Sequence, residues 1–165
     1  MCGPGRALAG RTDPRRIRSA LHGVVLGVRD PRAIVVAGRV AGALLVLAAG
    51  ALHLYLYFLY FRTVHVVGVL FLLNMAAGTV IGLALLVSAH PLAAAAGAGF
   101  SAATLAFFFV SVYHGLFGFT ESLRGGWQEG CGGVELAAVV VLVPVLFAEM
   151  RSRSRAPAAL SATQP

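Results

Sequence analysis

Three residues of this 165-residue chain combine metal-ligand chemistry with an apolar setting: His53, His114 and Glu135. Imidazole nitrogen and carboxylate oxygen form a donor set that zinc, copper or iron accepts, and a haem would take one or two histidines axially. Each residue lies in the outer third of a long hydrophobic run, so a metal site there is one expectation. Helical phase narrows it. At about 100° per residue, His53 falls about 60° from the Gly38/Gly42 stripe of its run and faces inward. His114 stands about 100° from the stripe of Gly97, Ser101, Thr104 and Ser111, and His65 about 140° from Gly78/Gly82. His65 also opens its run and is expected to meet water.

Carboxylates are costly inside lipid and often mark an ion or proton path. Glu135 reads either as such a site or as an interfacial acid paired with Arg62 or Arg124. No second acid lies deep in an apolar run, so a proton relay has no continuation, and Glu149 beside Arg151 and Arg153 reads as an end-of-helix charge. Asn74 sits mid-run on the stripe of Gly78 and Gly82, where an amide needs a partner. Thr104 has a similar depth, and a hydrogen bond between them is worth on the order of 1 kcal/mol. Cys2 and Cys131 are too few and too far apart for a disulfide framework or a metal-ligand spacing, and each reads as a free thiol. There is no phosphate-binding glycine loop, nucleophile elbow or HExxH, so no catalytic residue is assigned.

The elements that must position these groups are plain in the composition. The chain is 59% hydrophobic and 12% charged, with a mean hydropathy of +0.86. A soluble fold of this size could not bury that much apolar surface. Four runs, 34–60, 63–89, 92–119 and 133–150, approach or exceed the roughly 20 residues that cross a bilayer core. The expected fold is therefore all-α, a polytopic four-transmembrane-helix up-down bundle. Arg39 lies near one end of the first run, where a long side chain snorkels to the headgroups without a partner. Pro91 separates the second and third runs, and Pro144 is expected to bend the fourth. Residues 120–132 read as a polar, glycine-rich loop with Trp127 at the interface.

The net charge of +7 comes from thirteen arginines and no lysine. Seven lie in residues 1–33 and three in the tail, against one each in the two outer loops, Arg62 and Arg124. That balance predicts both termini in the cytoplasm and a multi-pass protein of the plasma membrane. It also favours membrane lipids over nucleic acid as the partner. Residues 1–33 form a basic segment, either a surface helix or partly disordered, and residues 151–165 a disordered tail.

Small residues point to the helix faces that meet. Gly38 with Gly42 and Gly78 with Gly82 are small-xxx-small pairs that let backbones approach closely. The start of the third run is nearly all alanine and glycine, whereas the opposite halves carry Tyr55, Tyr57, Tyr60, Phe107, Phe108 and Phe109. Helices built this way pack tightly on the cytoplasmic side and splay on the other, so any cavity should open outward.

Three segments carry a resemblance: His53-Leu54-Tyr55 through Tyr60-Phe61-Arg62, Gly68-Val69-Leu70-Phe71-Leu72-Leu73-Asn74, and Gly115-Leu116-Phe117-Gly118-Phe119-Thr120-Glu121. The chain resembles small four-helix integral membrane proteins of actinobacteria that carry no assigned activity. The turn after Arg62 departs from the proline-containing turn of those proteins, which leaves His65 outside the resemblance. It implies membrane location and no reaction. The leading functional expectation is a non-enzymatic bundle without a cofactor, binding a lipid-like molecule or associating with itself or a larger membrane complex. The alternative is a metal- or haem-binding redox protein, and a third reading is a small transporter.

Overall fold

The computed structural model describes residues 30–118, 120 and 126–161, with backbone alone at 128 and 155–161. The basic segment up to residue 29, Arg124 and the last four residues lie outside the described residues. Four helices follow in order: α1 (Pro31–Leu56, continued by a π-helical turn at Tyr57–Phe61), α2 (His65–Val87), α3 (Pro91–His114) and α4 (Gly126–Ser161). All four are long and apolar enough to cross a membrane. Among the described residues the fold is all-α, as the long uncharged runs predict.

Local chemistry sets the helix boundaries. Asp30 opens α1: its Oδ1 accepts the Arg32 N–H at 2.9 Å and its carbonyl accepts the Ile34 N–H at 3.2 Å, with Pro31 pre-set for the first helical position. The reversal at residues 62–64 is tight because Gly68 has no side chain. A Cβ there would lie 2.5 Å from the Phe61 carbonyl oxygen. Between α2 and α3, the Ser88 hydroxyl accepts the His90 N–H and His90 Nδ1 accepts the Leu92 N–H, both at 3.2 Å. His90 is thus a helix cap preceding Pro91. α3 stops at His114, short of the expected residue 119, because Gly115 adopts φ 74° and Gly118 φ 79°, values that glycine takes without steric cost. Phe117 between them also sits at φ 51°.

α4 departs most from expectation. It begins at Gly126, inside the expected loop, and runs through Pro144 to Ser161, into the expected disordered tail. Its first turns are held by packing that overrides the low helix propensity of glycine: Trp127 lies 5.1 Å, ring to ring, from Tyr55 of α1, and Gly132 lies against Leu105 and Phe108 of α3. At the other end the helix is already nucleated, so each added residue gains a hydrogen bond without a new nucleation cost.

From Val35 onward, two apolar clusters hold the helices together. The first joins Ala43 and Val46 of α1, Leu85 of α2, Ala94 and Ala98 of α3, and Ala138, Leu142 and Val145 of α4. Its small residues bring the four backbones close. Gly38 and Gly42 accommodate Val145 and Leu142 of α4, whereas Gly78 and Gly82 face Val46, Gly50, Leu47 and Ala43 of α1. The two glycine stripes therefore serve different neighbours. The second cluster, Leu56, Phe61, Val67 and Cys131, lies beside the 62–64 turn.

Arg39 does not stand alone. Its Nη1 lies 3.5 Å from Glu149 Oε1, with the two side chains 15% and 7% exposed. The free cation and end-of-helix acid read from the sequence form one ion pair between α1 and α4. A solitary guanidinium or carboxylate at that depth would cost more than the pair.

Two outcomes follow. Gly68→Ala lowers stability by about 1–3 kcal/mol through overpacking against backbone. Gly99→Ala, with nothing within 4 Å of its Cβ, stays within about 1 kcal/mol of wild type; thermal unfolding in detergent compares them. By the same measurement, Arg39→Ala or Glu149→Ala alone costs about 3–5 kcal/mol, and Arg39→Met with Glu149→Leu recovers most of that loss. Equal stability of the singles and the double would mean the pair is solvated.

Candidate functional site

His53 lies four residues beyond Ala49 on α1, so its ring folds back along the helix and Nδ1 reaches the Ala49 carbonyl at 2.8 Å. A carbonyl only accepts, so Nδ1 carries the proton and Nε2 is left with its lone pair. The ring is wedged by Phe71 of α2, 5.0 Å away centroid to centroid, and Phe71 in turn packs on Phe61 at 4.3 Å. Burial at 6% exposure follows from this aromatic wedge.

Facing it is α4, where Cys131 and Glu135 are one turn apart and share a face. Glu135 is 2% exposed and Cys131 7%. Glu135 Oε1 lies 3.7 Å from His53 Nε2 and 3.9 Å from Cys131 Sγ, and Sγ lies 3.6 Å from His53 Nδ1. One donor atom from each residue falls within 4.8 Å of the other two. Imidazole, thiol and carboxylate thus converge at one point between α1 and α4.

The sequence expectation named His53, His114 and Glu135, and the structure joins the first and last. His114 is an exposed residue at the end of α3, consistent with its phase away from the inward stripe. His65 is exposed at the start of α2. Glu135 faces His53; Arg62, one of its expected partners, is exposed, and the other, Arg124, lies outside the described residues. Cys131, set aside on spacing, is the third member. The signal for it was the four-residue interval to Glu135, which becomes a shared face once residues 126–132 are helical.

Beside the triad lies a cavity of about 440 Å³, lined by residues of all four helices and by Leu116 and Phe117. It occupies the half of the helices that carries the large aromatic residues. Leu and Phe are its commonest lining residues, and Asn74, Thr104 and Ser111 add polar groups from α2 and α3. Asn74 Nδ2 donates to Thr104 Oγ1 at 3.2 Å, and the Thr104 hydroxyl donates in turn to the Phe100 carbonyl at 2.9 Å. The Asn74 amide oxygen, although buried, has no hydrogen-bond partner among the described residues. The lining residues Leu73 on α2, Phe107 on α3 and Phe117 beyond it are 59%, 60% and 68% exposed, so part of the cavity wall is also the outer surface of the protein. α2 and α3 touch far less than α3 and α4 do.

No protein family, curated protein or solved structure matches this chain. Fold and site together define a class only: a multi-pass, all-helical membrane protein with a polar cluster set against an apolar cavity.

Proposed function

We propose that this protein binds a small apolar molecule bearing a polar head within the membrane, without transforming it. The observation that carries the reading is the cavity of about 440 Å³, a size typical of small-molecule sites with apolar walls and a few placed polar groups. The buried Asn74 oxygen offers an acceptor to a hydroxyl or amine, and the sparser packing of α2 on α3 supplies a path from lipid. Membrane lipids or lipid-soluble metabolites fit these walls; a nucleic acid does not. By the arginine balance, both termini face the cytoplasm, the membrane is the plasma membrane, and the cavity lies in the outer half.

An environment-sensitive fluorescent fatty acid or a photoactivatable lipid analogue, offered to the protein in nanodiscs, tests the binding. Ala77→Phe, which fills the cavity from α2, lowers labelling at least about tenfold, as a loss of about 1.4 kcal/mol or more would. Val80→Phe, at a position 68% exposed and outside the cavity lining, leaves it unchanged. Equal labelling of the two variants sinks the reading.

Orientation is tested separately, with wild type as the background. An impermeant maleimide applied to intact cells labels Thr63→Cys at the exposed turn and spares Ser154→Cys on α4. The opposite pattern places the cavity in the cytoplasmic half.

A further inference from the structure

We infer that His53, Cys131 and Glu135 form a site for a divalent zinc-like ion, with its fourth position facing the cavity. This rests on the triad's own geometry and stands whatever occupies the cavity.

Spacing is the first argument. At 3.7 and 3.9 Å, the contacts of Glu135 with His53 and Cys131 are long for direct hydrogen bonds. Donors held 2.0–2.3 Å from a tetrahedral zinc lie roughly 3.3–3.6 Å from one another, so a contraction of a few tenths of an ångström closes the two contacts of Glu135, while Cys131 Sγ, now 3.6 Å from Nδ1, turns toward Nε2 to complete the set. The three residues come from two helices already held side by side, and small side-chain movements suffice.

Proton accounting is the second. His53 Nδ1 is committed to the Ala49 carbonyl, so Nε2 presents a lone pair to the Glu135 carboxyl oxygen. Two acceptors in that position need a proton or a cation between them. The bond to Ala49 is also the outer-shell contact that orients an imidazole and raises its basicity toward a metal.

Charge decides the type of ion. Binding displaces the Cys131 thiol proton to solvent, and thiolate plus carboxylate then bring two negative charges against the two positive charges of the metal. The assembled centre is neutral, which is the condition for burying it in lipid. A monovalent soft ion such as Cu(I) would leave a net negative charge and gain little from the hard oxygen of Glu135. Magnesium or calcium would gain little from sulfur and imidazole. One thiolate, one imidazole and one carboxylate fit a borderline divalent ion. Three protein ligands leave the fourth position open, and all three residues line the cavity.

The test uses the full chain purified in detergent, equilibrated with Zn²⁺, desalted, and assayed for metal by mass spectrometry. One zinc per chain is the expected result. Cys131→Ser, Glu135→Gln and His53→Gln each weaken it at least about tenfold, given that even outer-shell changes cost 10–100-fold. His65→Gln and His114→Gln leave it unchanged. Cys131→Ser preserves side-chain size, and loading with Co²⁺ supplies a second readout that a folding defect does not imitate. Wild type shows thiolate-to-cobalt charge-transfer absorption, and monodisperse Cys131→Ser protein shows none. Wild type that retains no zinc overturns the inference. So does zinc that is lost with the surface histidines instead of the triad, or a cobalt spectrum without the thiolate band. Failure of the lipid-analogue labelling leaves these outcomes untouched.

Discussion

Lipid does not solvate charge, and most of this fold follows from where α4 places its two buried acids. Glu135 and Glu149 are fourteen residues apart, and on α1 the groups that meet them, His53 and Arg39, are also fourteen apart. Fourteen residues are two heptads, so both partners on each helix share a face. The helices run antiparallel, and the two contacts form rungs about 21 Å apart along the axis. A slip of one residue would break both at once. Apolar side chains tolerate sliding in a hydrocarbon solvent, whereas these rungs admit one register.

Between the rungs, residue size grades the packing. On the Arg39–Glu149 side, alanine and glycine draw the helices together, and leucine and valine side chains fill the places where a glycine Cβ would be. On the His53–Glu135 side, phenylalanine and tyrosine rings hold the helices apart. Aromatic rings of fixed shape do not close every gap they create, and the cavity is the remainder. It falls against the triad because His53 is itself one of the rings wedged there.

Much of this was legible in the sequence because membrane spans are defined by long runs without charge, and those runs are unambiguous here. The contact between Asn74 and Thr104 followed from matching the depths of two polar residues in adjacent runs. What escaped depended on tertiary packing. Four glycines in the eight residues 126–133 read as loop by propensity, yet Tyr55 and Phe108 hold that stretch in α4 and so turn Cys131 toward His53. Arg39 looked self-sufficient because a long side chain can reach water; that Glu149 lies opposite depends on the antiparallel register, which one helix viewed alone does not contain. His114 met the chemical criterion and failed the angular one.

The sparser packing of α2 on α3 bears on how a bound molecule would exchange under the proposed function. On the proposed reading, a guest arriving sideways past the exposed Leu73 and Phe107 would be drawn from the hydrocarbon phase, where oily solutes accumulate far beyond their dissolved amount. Occupancy would then track the mole fraction of guest per lipid, and exchange would be a search in two dimensions. Diluting the buffer would scarcely alter such an equilibrium, while adding empty vesicles would drain it.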